Sequence, residues 1–198
     1  EDKKRTWVLP LNSNWNGLPD TLETETLEIP NYSALAAQNQ GALRFNTENT
    51  AHYITDYQGL LLDQILDTIT ELDSTSKLQV VQERRLLAEA GHISFAELVP
   101  VIEKLTEESS YLVVSGVKAV LSGLKIFVEE GSETEEAYNE LVIKLSRFNF
   151  DRLGFEAKDG ESDEDELVRQ IVIGNLIAAN DEKATQEADG IFKAHQDD

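Results

Sequence analysis

The side chains best suited to metal or acid-base chemistry near neutral pH are three histidines, His52, His92 and His195, and they are scattered along the chain. A hydrolytic zinc centre of the His-Glu-x-x-His type needs two imidazoles one helical turn apart, with a glutamate beside the metal-bound water. None of the three stands in that pattern, so each reads as an ordinary surface or packing residue. The densest carboxylate run, DGESDEDE from Asp159 to Glu166, has the composition of a calcium loop. Its glycine stands second rather than sixth, however, and no bidentate glutamate follows at the twelfth place, which leaves helix capping and solvation as its expected work. Serine, histidine and aspartate occur without a Gly-x-Ser-x-Gly elbow, and neither a Walker loop nor Gly-x-Gly-x-x-Gly is present. A pair of catalytic carboxylates would need a cleft to bring it together. The expectation is a chain with no catalytic residue, no metal ligand and no cofactor site of its own.

Composition narrows the class further. The 198 residues carry 17 basic and 38 acidic side chains, a formal charge of −21, which repels phosphate backbones and anionic bilayers. Nucleic acid and membrane are therefore not expected partners. The acidity reads as a solvated surface, while also permitting attraction of cationic peptides. The longest apolar passage, Ile171 to Ala179, falls short of the roughly 20 residues that span a bilayer. Cysteine is absent, which removes disulfide and thiolate chemistry and fits a reducing, cytoplasmic setting. Methionine is absent too and the first residue is glutamate, so an internal segment of a longer polypeptide is expected. A hydrophobic content of 40% is enough for one domain, or one domain with an appendage.

The organising stretch is a helical hairpin from Val80 to Gly116. Gly91 follows LLAEA as a left-handed C′ glycine, and Ser94 with Glu97 has the spacing of a capping box. Phe95, Leu98, Val99, Ile102 and Leu105 then form one apolar stripe over an expected helix 94–108. Other helices are expected at 50–72, at 75–90 and at 111–129, the last opened by Ser109 or Ser110 and apolar nearly all round, hence buried. Ser132 and Glu135 have capping-box spacing for a fifth helix running through Leu141, Leu145 and Phe148. A sixth is expected over 164–179, and a seventh begins at Asp181. Residues 1–46 differ in texture: Trp7–Leu11, Thr21–Ile29 and Ala42–Asn46 read as two or three short strands, the last with Leu43 and Phe45 on one face and Ala42, Arg44 and Asn46 on the other. The fold class expected is mainly α: a helical-hairpin superhelical array of the armadillo or HEAT kind, preceded by a short β segment.

Several of these stretches, in this order, resemble the C-terminal region of zinc aminopeptidases of the aminopeptidase N and puromycin-sensitive type. WVLPL (7–11) is similar to a strand of their small β-sandwich, and GALRFN (41–46) to their Gly-x-Tyr-Arg-Val-Asn strand, with Leu43 in place of the tyrosine. LQVVQERRLLAEAGHIS resembles their Leu-x-x-Asp-x-x-x-Leu-Ala-x-Ala-Gly-x-Leu-Ser segment. LTEESSY resembles Leu-x-x-Glu-x-x-Tyr through Leu105, Glu108 and Tyr111, and the tryptophan common slightly later is missing. Leu153, Gly154, Phe155, Gly160, Glu161 and Arg169, with Leu167 nearby, match their Leu-Gly-Trp segment and the Gly-Glu and Leu-Arg that follow.

The resemblance implies that residues 1–46 are the terminal strands of the sandwich and 47–198 the first part of a C-terminal helical-repeat domain. It further implies a parent that removes N-terminal residues from peptides with a zinc-activated water, the metal and the amine-recognition loop lying in an upstream catalytic domain. That domain and peptide substrates would be the partners, and this chain a non-catalytic wall of the substrate chamber. Arg169 is the one candidate for contact with a substrate carboxylate, in competition with an ion pair to a neighbouring acid. The alternative reading is a helical-repeat protein-binding scaffold unrelated to proteolysis.

Overall fold

A computed structural model describes residues 7–194. The chain is mainly α-helical with one short sheet, as its sequence patterning predicts, and it divides into two compact units, Glu1–Gln79 and Val80–Asp198.

In the first unit β1 (Leu9–Pro10) pairs antiparallel with β2 (Thr21–Leu22), Leu9 facing Leu22 and Pro10 facing Thr21. The strands are two residues each, shorter than the runs Trp7–Leu11 and Thr21–Ile29 predict, and Ala42–Asn46 is not a strand. The reason is asparagine chemistry. The Asn14 side chain accepts from the Arg44 amide at 2.7 Å and donates to the Ala42 carbonyl at 2.9 Å, interrupting a backbone pairing that otherwise runs from the Asn14 amide to the Arg44 carbonyl and from the Asn46 amide to the Leu11 carbonyl. Asn46 sits at φ 52° and closes a ring with Ala51 through both ends of its amide. The predicted alternation fails with it, since Ala42, Leu43 and Asn46 are all buried. A helix unforeseen in the sequence, α1 (Tyr32–Gln38), lies between the second and third expected strands.

The long helix predicted at 50–72 is also cut short: α2 is Leu60–Thr68, followed by a 3₁₀ turn, Ile69–Glu71. Asn46 and Asn49 at positive φ start a loop, and two tyrosines tie it down. The Tyr53 hydroxyl donates to the Leu11 carbonyl at 2.8 Å, and that of Tyr57 accepts from the Phe45 amide at 2.8 Å. Their helical spacing is thus used for anchoring across the unit.

α3 (Ser74–Glu89) runs across the division between the units and ends as its sequence predicts. The His92 amide bonds the Leu87 carbonyl at 2.9 Å and the Gly91 amide that of Ala88 at 3.0 Å, the paired bonds of a Schellman motif around Gly91 at φ 76°. A Cβ at Gly91 would meet no atom within 4 Å, so Gly91→Ala tests backbone strain alone. It is expected to cost about 1 kcal/mol, read as an earlier thermal melt by circular dichroism.

In the second unit the Ser94–Glu97 capping box is present, yet it opens a 3₁₀ turn, Phe95–Leu98, and only then α4 (Val99–Glu103). Pro100 has no amide to reach the Ala96 carbonyl, which makes one continuous helix over 94–108 unfavourable. α5 (Tyr111–Lys125) stops short of Glu129 and is not buried all round: Leu112 within it is 42% exposed, and Ile126 and Phe127, just past its end, are 79% and 67% exposed. Ser110 stands at the N-cap position as expected, but its side chain makes no cap bond, and the Glu108 carboxylate accepts from the amides of Ser109 and Ser110. α6 (Glu133–Leu153) is capped by Ser132, whereas Glu135 turns back to the Gly131 amide at 2.7 Å instead of completing the box. α7 (Asp163–Ala178) and α8 (Glu182–Ala194) follow. α7 packs on α5, α6 and α8, and the core there is Phe150, Leu153, Val168, Val172, Leu176 and Ala184.

Candidate functional site

The residues singled out for chemistry are dispersed. His52 and His92 are exposed in turns, and His195 lies outside the described residues. Among the described residues no three His, Cys, Asp or Glu side chains gather to hold a metal ion, so the donors present do not fit zinc and no metal step is assigned to them.

The acidic run between α6 and α7 is a structural lock. Ser162 and Asp165 form a capping box at the start of α7, with the Ser162 amide on Asp165 at 3.0 Å. Arg152 donates to the other Asp165 oxygen at 2.5 Å and to Asn149 at 3.0 Å, while Asn149 donates to the Glu108 carbonyl at 2.7 Å. Bonds from Ser162 first, and from Arg152 next, hold the Asp165 carboxyl down to about 2 from its ordinary 3.8. A carboxylate depressed on folding stabilises fully above its unfolded pKa, and that contribution is lost as pH falls from 3.8 through about 2. Asp165→Asn is therefore expected to flatten the acid limb of the stability profile, measured as the difference between wild-type and variant melting temperatures across that window. An unchanged difference across it would refute the lock.

Arg169 is buried, at 6% exposure, and ion-paired with Glu161, whose carboxyl is lowered chiefly by that guanidinium. The structure thus places Arg169 on the neighbouring acid its sequence context offered. Its companions in the family-like segment are packing residues too: Leu153 is in the core and Phe155 meets Phe150 edge-on with ring centres 5.6 Å apart. These residues spell the α6–α7 connection.

The feature with the form of a binding site is a groove of about 750 Å³ walled by the 3₁₀ turn and α4, the end of α5, and α6. Phe95, Val99, Leu124, Phe127, Tyr138 and Leu141 line it, a mostly apolar surface with few polar groups. Lys144 bridges to Glu103 at 2.7 Å between its α6 and α4 walls. The Tyr138 hydroxyl donates to the Leu121 carbonyl at 3.1 Å, and burial raises its pKa. Sequence reading missed this groove because Phe95 and Phe127, whose rings lie 5.7 Å apart, belong to separate elements and were each assigned to a helix face.

Among the described residues the chain is a mainly helical module whose ion pairs hold helices and connections together. The match to known families makes it specific. The family described as ERAP1-like C-terminal domain matches residues 43–198, and the chain belongs to that family. It is 54% identical over all 198 residues to aminopeptidase N of Lactococcus lactis subsp. lactis. It is 36% identical over 197 residues, again its full length, to aminopeptidase N of Lactobacillus helveticus, and 24% identical over 166 residues, 81% of the chain, to aminopeptidase M1-D of Oryza sativa subsp. japonica. It spans 23%, 23% and 19% of those proteins, about a quarter or less of their length. The resemblance carried by LLAEAGHIS, LTEESSY and the Leu153–Arg169 segment is thereby borne out.

Proposed function

We propose that this chain is a non-catalytic C-terminal portion of a zinc-dependent aminopeptidase that releases N-terminal residues from peptides, and that its helices form a wall of the substrate chamber. The observation that carries the reading is identity to aminopeptidases N along the whole chain, in a region whose described residues gather no metal donors. In this reading residues 1–46 close a small β-sandwich, and 47–198 begin a helical domain whose hairpins stack in the armadillo or HEAT manner. The upstream catalytic domain is its partner and supplies the zinc. The compartment is the cytoplasm, a reading that stands on the absence of cysteine; no described helix is long and apolar enough to cross a membrane.

The wall's contribution is steric and electrostatic. A charge of −21 favours cationic peptides over anionic ones at the surface they meet. Arg169 serves by holding the α6–α7 connection, and contact with a peptide carboxylate requires that carboxylate to displace Glu161.

The purified 198-residue chain, supplied with zinc, is expected to release no nitroaniline from leucyl-p-nitroanilide, whereas the polypeptide that includes the upstream region cleaves it. Metal-dependent cleavage by the chain alone overturns the proposal. For the wall itself, a substrate peptide bearing a photoreactive residue is expected to label helices of this segment in the longer enzyme. Labelling confined to other domains removes the chamber role.

A further inference from the structure

We propose that the groove between α4, α5 and α6 docks a helical segment of a second polypeptide, apolar on one face and flanked by lysine or arginine. The inference is independent of the aminopeptidase reading, because it rests on the groove's shape and its charge alone.

The apolar part is built. Phe127, two-thirds exposed, meets the Phe95 ring at a tilt of 43° where both line the groove, and Ile126 beside it is more exposed still. Two adjacent large apolar side chains left in water at a helix end mark a surface suited to being covered. Walls made of helices with a floor of Leu124, Tyr138 and Leu141 suit an amphipathic helix that inserts a few side chains. A glycine shapes the floor: a Cβ at Gly123 would come within 2.3 Å of the Phe95 ring, so only glycine lets that ring lie against α5 and keep the groove open.

The charge chooses the occupant. Glu133, Glu136 and Glu140 recur at helical spacing along α6, and Glu140 lines the groove. Glu129 and Glu130 stand in the loop just before, next to Val128 of the lining. None of these five carries an ion pair among the described residues, whereas the nearby Lys125 and Lys144 are held by Glu135 and Glu103. The flank is thus negative and uncompensated. A second copy of the chain, at −21, and an anionic lipid surface are both repelled by it. A cationic flank beside an apolar face is complementary.

The probe is a fluorescein-labelled amphipathic peptide of leucine and lysine, about four helical turns long, with a leucine–glutamate counterpart, read by fluorescence anisotropy on the 198-residue chain. The lysine peptide is expected to bind at least about tenfold more tightly than the glutamate one, and to weaken as salt rises. Phe127→Ser and Gly123→Ala, the second of which pushes the Phe95 ring into the groove, are each expected to weaken it by about tenfold. The double variant Glu136→Lys/Glu140→Lys is expected to weaken it equally. Glu182→Lys/Glu187→Lys on α8, with the same change in net charge, is expected to alter it by less than about twofold. Far-ultraviolet circular dichroism checks that each variant is folded, and Phe127, Glu136 and Glu140 are exposed positions. Failure of the lysine peptide to bind, equal binding of both peptides, equal loss in the α8 pair, indifference to Phe127→Ser, or dimerisation through the groove overturns the proposal.

Discussion

Phe150→Ala is expected to destabilise the second unit by about 3–5 kcal/mol, a large share of the 5–15 kcal/mol that holds a typical domain. The ring is 2% exposed, at the junction of α6, α7 and α8. Phe155 meets it edge-on, and the cations of Arg147 and Lys183 lie 5.8 and 5.6 Å from its centre. Truncation removes the transfer term, opens a cavity, and leaves two cations without the π-face they share. Urea unfolding followed by far-ultraviolet circular dichroism measures this, because the second unit holds most of the helices. A loss below about 1 kcal/mol would mean that the junction is not a packed core.

The second large effect belongs to the first unit. Trp15→Ala is expected to cost about 3–5 kcal/mol there. The indole is 5% exposed, its N–H donates to the Gly41 carbonyl at 3.1 Å, and its ring packs on Tyr32 with centres 5.2 Å apart. The carbonyl directly precedes residues 42–46, where asparagine side-chain bonds interrupt regular strand pairing, so the loss reaches that stretch as well. Trp15→Phe separates the terms, retaining most of the apolar area and losing only the hydrogen bond, at about 1 kcal/mol. Guanidinium unfolding of both variants, followed by near-ultraviolet circular dichroism, checks the order. Equal losses for the two substitutions would show that the hydrogen bond, and not the packing, carries the site.

Much of the second unit is legible in the sequence because its signals are local. Gly91 and the two amide bonds around it span six residues, and the Ser94–Glu97 box spans four. Patterns this short depend little on the rest of the fold. The same locality explains why LLAEAGHIS and the Leu153–Arg169 segment identify a family without containing any chemistry. They encode a helix stop and a helix-to-helix lock, which a fold needs whatever its function.

The first unit misleads for the opposite reason. Tyr53 and Tyr57 stand four residues apart, which reads as a helix face, but their hydroxyls bond residues 42 and 12 positions away. A side chain satisfied at that distance has no local signature, so periodicity assigned a helix where the chain makes an anchored loop. Leu43 and Phe45 alternate as in a strand, yet regular pairing fails: the backbone of residues 11–14 meets that of 44–47 at only a few bonds, and the Asn14 side chain supplies others. Asparagine's capacity for positive φ, used at Asn46 and Asn49, then turns the backbone away.

By itself, then, the amino-acid sequence determined the class, the family and the absence of recognised catalytic motifs, since helix stops, capping residues, composition and motif order are properties of neighbours along the chain. Tertiary structure decided whether Arg169 meets Glu161 and that α4 starts at Val99 behind a 3₁₀ turn, with Pro100 in its first turn. It also decided that Phe95, Phe127 and Tyr138 converge on one groove. Ring contacts and ion pairs between elements depend on how helices pack, and packing is set by the summed fit of many apolar surfaces that no short window contains.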